Sequence, residues 1–152
     1  MQSLSIRSVM IMTFAIVGVI IGVVSQFAEK PNVYVQGEIK LDPALEESAN
    51  GILTLFVVLY DENSPRPMPW GAIRYSLKQP ATAGSFHNFI LTPANLQVMD
   101  TNAPVPKSFR IKARLDVNGQ GGMDTPGDLV GELNHVPRGQ TGVSLTVNKK
   151  IG

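Results

Sequence analysis

The chain contains two histidines, His87 and His135, and no cysteine. Without cysteine there can be no disulfide framework, no thiol-disulfide site and no covalent haem attachment through a Cys-x-x-Cys-His motif. His87, Asp100 and a serine could be imagined as a triad, but no Gly-x-Ser-x-Gly elbow or comparable context surrounds any serine. The two histidines lie far apart without further ligand types beside them, so both are expected at strand surfaces and not on a metal. The segment "DVNGQGGMDTPGD" carries Asp116, Asn118, Asp124 and Asp128. It has the acidity of a calcium loop, but lacks the Asp-x-Asn-x-Asp-Gly order and the closing glutamate. No catalytic residue, metal or cofactor is expected, and the chain does not read as an enzyme.

Three constellations have types and spacing suited to contact instead of catalysis. Arg110, Lys112 and Arg114 alternate along "SFRIKARLDVN" and would line one sheet face, a basic stripe suited to an acidic partner or to lipid headgroups, or else a plain solvated face. In "SPRPMPWG", Met68 and Trp70 stand between prolines that favour an extended, pre-ordered backbone. A thioether and an indole there can form an exposed ridge for a protein contact, or fold back to cap the domain. Gly18 and Gly22 in "GVIIG" form a Gly-x-x-x-Gly pair that lets a second helix approach closely, although glycine is also common in membrane helices.

The elements that must carry these residues follow from the hydropathy pattern. A chain of 152 residues has room for one ordinary domain and a short appendage. Hydrophobic residues make up 43% and charged residues 16%, and one segment accounts for much of that skew. "VMIMTFAIVGVIIGVVSQF", residues 9–27, holds neither charge nor proline. At about 1.5 Å per residue it can cross the hydrocarbon core of a bilayer. A cleaved signal peptide is the competing reading, since Arg7 precedes the run and Ser25 and Ala28 follow, but the run exceeds a usual signal core and no small-x-small site follows cleanly. Arg7 on the amino-terminal side places that terminus in the cytoplasm by the positive-inside rule. The expected division is a cytoplasmic start and transmembrane helix over 1–28, a juxtamembrane linker over 29–32 and a periplasmic β domain over 33–152. Removing Arg7 from the 13 basic residues leaves 12 against 12 acidic ones, so the exported part is formally neutral and nucleic acid is excluded as a partner.

Beyond Pro31 the period becomes two. Val33, Val35, Ile39 and Leu41 share a face, "ILTLFVVLY" reads as a central strand, and Ile73, Tyr75 and Leu77 alternate. Phe109, Ile111, Ala113, Leu115 and Val117 point one way, with Arg110, Lys112, Arg114 and Asp116 the other. "FHNFIL", "LVGELNHV" and "GVSLTVNKKI" are shorter candidates, separated by turn signals such as "QPATAG" and "PRGQTG". With no amphipathic helix for a βαβ unit, the fold class is mainly β: an antiparallel β-sandwich, immunoglobulin-like or partly open barrel, after a single transmembrane helix. Asp42-Pro43 ends the first strand, because proline cannot donate to the ladder, and Asp42 can cap one helical turn over "PALEES".

The motifs Gly37 to Leu45, Leu55 to Val57, Pro67 to Pro69, Ala113 to Arg114 and Pro126 to Gly131, in that order, resemble the carboxy-terminal periplasmic domain of the cytochrome c maturation protein CcmI/CycH. The resemblance spans nearly all of residues 33–149. The family carries two membrane spans and a tetratricopeptide region; this chain has one expected span and no helical repeats, so the resemblance carries over a fold and a cellular setting. It implies a non-catalytic interaction module on the periplasmic side of a bacterial inner membrane, acting in c-type cytochrome biogenesis or assembly. The alternative is an accessory structural subunit of a respiratory complex, a cytochrome oxidase or a quinol-cytochrome c oxidoreductase. Both imply a membrane-embedded, cytochrome-related protein partner beside the lipid bilayer.

The glycine pair yields a direct test. Replacing Gly18 and Gly22 together by leucine inserts bulk where helix backbones would touch, while the added hydrophobicity leaves insertion intact. Copurification from mild detergent should lose the partner while membrane localisation persists; wild-type partner yield would show that the glycines make no helix contact.

Overall fold

The computed structural model describes residues 32–65 and 68–152. The expected span, with Gly18 and Gly22, lies outside the described residues. Among the described residues no helix is long and apolar enough to cross a membrane. They form a mainly β structure of two sheets.

Strand β1 (Val35–Leu41) buries Val35, Ile39 and Leu41 on one face, as the alternation requires. It stops where expected. Asp42 Oδ1 accepts the Ala44 N–H at 2.9 Å, and Pro43 opens a 3-10 turn, Pro43–Leu45, that continues into the four-residue helix α1, Glu46–Ala49. Proline at the first helical position gives up no bond, because the leading amides have no partner in the turn.

Strands β2 (Thr54–Asp61), β3 (Pro69–Ser76) and β6 (Ser108–Asp116) form the middle of the larger sheet, whose order is β5-β3-β2-β6-β7-β9. There β5 is Gln97–Val98, β7 Leu129–Pro137 and β9 Lys149–Lys150. The central place of β2 matches its nearly unbroken apolar sequence. The smaller sheet has the order β4-β1-β8, with β4 Gly84–Leu91 and β8 Gln140–Val147. Inward residues of both sheets form one core, including Ile39, Leu41, Phe89 and Leu145 from the small sheet and Leu55, Leu59, Phe109, Ile111 and Leu115 from the large one. Each such side chain contributes roughly 1.5–3 kcal/mol by leaving water.

Two features depart from the expectation. The pairing of β1 with β8 is parallel, while every other strand pair among the described residues is antiparallel. And β7 and β8, joined by only Arg138 and Gly139, do not stay in one sheet; they are the corner where the two sheets meet. The turn is held from both sides, with the Arg138 N–H on the Lys107 carbonyl at 2.9 Å and the Gly139 N–H on the Tyr34 carbonyl at 2.7 Å. Asn148 then carries the chain from β8 back to the large sheet, its N–H on the Val130 carbonyl at 3.1 Å.

Two glycines permit close backbone approach, Gly131 at the corner of β7 and β8 and Gly37 between β1 and β8 within the small sheet. A Cβ on Gly131 would run into the Thr146 carbonyl, and one on Gly37 into the Val143 carbonyl, both backbone atoms that cannot swing aside. Gly37→Ala or Gly131→Ala should therefore lower stability to urea by about 3 kcal/mol or more, at the upper end of overpacking costs. Gly51→Ala, at φ +83° with open space around it, should lose only the left-handed penalty of roughly 1–2 kcal/mol. Equal losses in the three variants would show that neither contact depends on close backbone approach.

Candidate functional site

The residues singled out by type gather in four places, and the largest gathering surrounds β6. Its inward residues Phe109, Ile111, Ala113 and Leu115 are fully buried, as expected, whereas Val117, expected on the same face, lies past the end of the strand and is exposed. Its outward residues are not a solvated stripe. The segment 117–128, rich in glycine and Asx residues, laps over the outer face of the large sheet. Gly121 takes φ +73°, where a Cβ would stand 3.3 Å from the Phe56 ring.

Arg114 is the centre of this cover and is only 6% exposed. Its Nη2 lies 3.1 Å from Asp116 Oδ2, and its Nη1 donates to the Gly122 carbonyl at 2.7 Å and lies 3.2 Å from Asp124 Oδ1. Its Cζ lies 5.2 Å from the Phe56 ring centre. Asp128, fully buried, accepts the Val117 N–H at 3.0 Å on one oxygen and the Thr125 N–H at 2.8 Å on the other. Asp116 accepts the N–H groups of Asn118 and Gly119 at 3.1 and 2.6 Å. The acidic set that looked like a calcium loop thus closes around a guanidinium, and no group of three or more metal-ligating side chains occurs among the described residues.

The other two basic residues are also paired. Lys112 bonds Asp124 at 2.5 Å, and Arg110 meets Glu132 at 3.1 Å with its Cζ 3.9 Å above the Tyr60 ring. The basic stripe of Arg110, Lys112 and Arg114 is therefore corrected: each cation already has a carboxylate, so the stripe offers no free charge to an acidic partner or a headgroup. Burial alone would raise the Asp124 carboxyl, but the bonds from Lys112 and Arg114 outweigh it and hold the group below its ordinary range.

The expected ridge divides. Met68 is 65% exposed, whereas Trp70 is 7% exposed and packs edge-on against Tyr34 at 5.3 Å and on Phe109 at 5.6 Å. Trp70 is thus corrected from a contact residue to a core residue. It lies in β3, where its side chain closes the end of the core, and burying an indole outweighs presenting it to solvent. The Trp70 carbonyl instead receives the N–H of Met99, itself half exposed, just past the neighbouring edge strand β5. Met99 was not singled out in the sequence, because "LQVMD" is too short to read as a strand.

The histidines occupy separate places. His135 has φ 57°, a left-handed conformation for a non-glycine residue, at a bulge where β7 gains one residue on β6. Its backbone N–H and its ring Nδ1 both reach Glu62 Oε1 at 2.8 Å, and Glu62 Oε2 accepts the Ser108 hydroxyl at 2.7 Å. These bonds, the Ser108 one first, hold the Glu62 carboxyl below its usual value. His87 is half-buried on β4, 4.2 Å from the Tyr75 ring, and its Nε2 has no hydrogen-bond partner. Burial pushes its pKa down and that of Tyr75 up. It borders a hollow of about 600 Å³ walled mainly by the connection between β3 and β4, where Lys78 is the other titratable side chain.

Two measurements test the ion cluster. Arg114→Met leaves Asp116 and Asp128 buried without their cation and should cost about 3–5 kcal/mol in urea unfolding. Arg110→Met, whose partner is well exposed, should cost at most about 1 kcal/mol. Because the Asp124 and Glu62 carboxyls are depressed when folded, their stabilisation is present above the ordinary carboxylate range and lost as pH falls through the lower folded values. The urea midpoint should therefore hold down to about pH 4 and fall below it. A midpoint that rises on acidification would contradict the assignment.

No family model matches the chain, and comparisons with curated proteins and with solved structures give no match.

Proposed function

We propose that this protein is a membrane-anchored, non-catalytic interaction module facing the bacterial periplasm, and that it serves the biogenesis or assembly of c-type cytochromes. The observation that carries the non-catalytic part is how its reactive side chains are used. Arg114, Lys112, Arg110, Asp116, Asp124, Asp128, Glu62 and His135 are all engaged in bonds that hold loops to strands. Several side chains left to solvent are of the contact kind. Met68, Met99 and Met123 are among the exposed large apolar residues, and thioethers adapt to varied partner surfaces.

The cellular setting is supported by the resemblance to the periplasmic domain of CcmI/CycH, and three of the motif residues have a physical part here. Gly37 permits the β1 to β8 approach, Asp42 caps the turn after β1, and Asp128 holds the 117–128 segment. Residues 9–27 supply the anchor. The sheets join at β7 and β8 and are unpaired between β3 and β4, which favours the partly open barrel over the immunoglobulin-like form.

Deleting the gene and assaying covalent haem in every c-type cytochrome tests this role. A deficit in at least one cytochrome is expected, and normal levels in all would refute it. Copurification in fixed stoichiometry with haem proteins would instead identify a permanent subunit of a respiratory complex.

A further inference from the structure

Strand edges set apart one side of the molecule. Proteins shield exposed edges with very short strands, charges or proline. The outer strands of the large sheet follow that rule: β5 and β9 have two residues each, and β9 is Lys149–Lys150. Where β3 extends beyond β5 it carries the exposed Arg74. On the small sheet, β8 also pairs only with β1 and holds no charge or proline, but β7 lies against it, with Gly131 at the Thr146 carbonyl. Strand β4 breaks the rule. It is eight residues long, pairs only with β1, and its sequence "GSFHNFIL" holds no lysine, arginine, acid or proline.

The direction of its free bonds can be read from a neighbour. The Asn95 side chain donates to the Ile90 carbonyl at 2.7 Å, so the main chain of Ile90 faces away from β1. The register with β1 is unbroken from Leu91 to His87, so Asn88, two residues earlier, turns its N–H and C=O to the same free side. Asn88 is exposed. At the foot of the strand lies the hollow of about 600 Å³, bordered by Leu77, Ala81, Phe86, His87 and Lys78.

We infer that the free edge of β4 is a strand-addition site that takes an extended segment of a partner polypeptide, uncharged or mildly acidic, with one apolar side chain seated in the hollow. The edge supplies main-chain bonds at Asn88, and alternate side chains of the added strand supply selectivity, the division of labour in β-augmentation. Leu77, Ala81 and Phe86 suit an apolar group, and Lys78 favours an acidic neighbour or a terminal carboxylate. A second copy of this chain fits less well. It would bring its own β4 flanked by its own connection 77–83, and would leave both hollows unfilled. The inference rests on the reading of the domain as an interaction module and names the surface that reading requires.

The test uses the full chain in mild detergent and a displayed library of random peptides of about ten residues. Peptides selected on the chain should slow hydrogen exchange at the Asn88 amide. Asn88→Pro removes that N–H on the free side only and should weaken them about tenfold, while Asn88→Ala, which keeps it, should bind within about twofold. Exchange in the wild-type chain decides the matter even if the proline variant does not fold. An absence of binders, binders that leave Asn88 unprotected, or concentration-dependent dimers that protect Asn88 without peptide would each overturn the inference. Its failure is separable from that of the cellular role. Unprotected Asn88 with a haem deficit in the deletion strain removes the site alone, and protected Asn88 with normal haem removes the role alone.

Discussion

The guanidinium of Arg114 is the constraint on which the outer half of the domain depends. Its strand, β6, lies in the middle of the large sheet, so its outward side chains would ordinarily face water. Instead a buried cation draws Asp116, Asp124 and the Gly122 carbonyl around itself, while Asp128 beside it receives the backbone of Val117 and Thr125. Desolvating such charges is costly unless their lone pairs and protons find partners, which explains why so many backbone amides point at these carboxylates. Among these groups only the Arg114 Nε lacks a hydrogen bond, 4.0 Å from Asp128 Oδ2. A glycine-rich segment with no secondary structure of its own is thereby given one conformation, and Phe56 is covered without a third layer of structure.

Closure of the core on one side has a different physical basis. Among the described residues no ion pair holds the corner of β7 and β8. The sheets meet because Gly131 lets the backbone of β7 touch that of β8, and because the Arg138-Gly139 turn is bonded to both sides. On the opposite side, between β4 and β3, no strand pairing spans the gap. Side chains fill it instead, with His87 against Tyr75 and with Leu96 buried on the connection to β5. Main-chain bonds have well-defined direction and side-chain contacts do not, so the two sides differ in what they can offer another polypeptide.

This asymmetry bears on function more than any single residue does. Several acids and bases hold loops to strands, and Glu62 is a clear case, joining Ser108 on β6 to the strained His135 on β7. Thioethers at Met68, Met99 and Met123 and the uncharged edge of β4 lie at the surface, as do exposed charges such as Lys78 and Lys107.

The sequence by itself determined the local structure. Period-two alternation named the buried faces of β1 and β6, the apolar run of "LTLFVVLY" marked the central strand, and Asp42-Pro43 foretold the turn and its cap, because each of these depends on residues within a few positions of one another. Only the tertiary structure decided the rest. Alternation shows that Arg110, Lys112 and Arg114 share a face, but a solvated cation and a buried one have the same sequence signature until the segment that covers them is in place. Trp70 beside three prolines reads as a ridge or a cap, and the rings of Tyr34 and Phe109, far away in the chain, made it core. The parallel pairing of β1 with β8 and the exposed edge of β4 are relations between strands distant in sequence. No local pattern encodes them, since the same inward residues would fill a core under several strand orders.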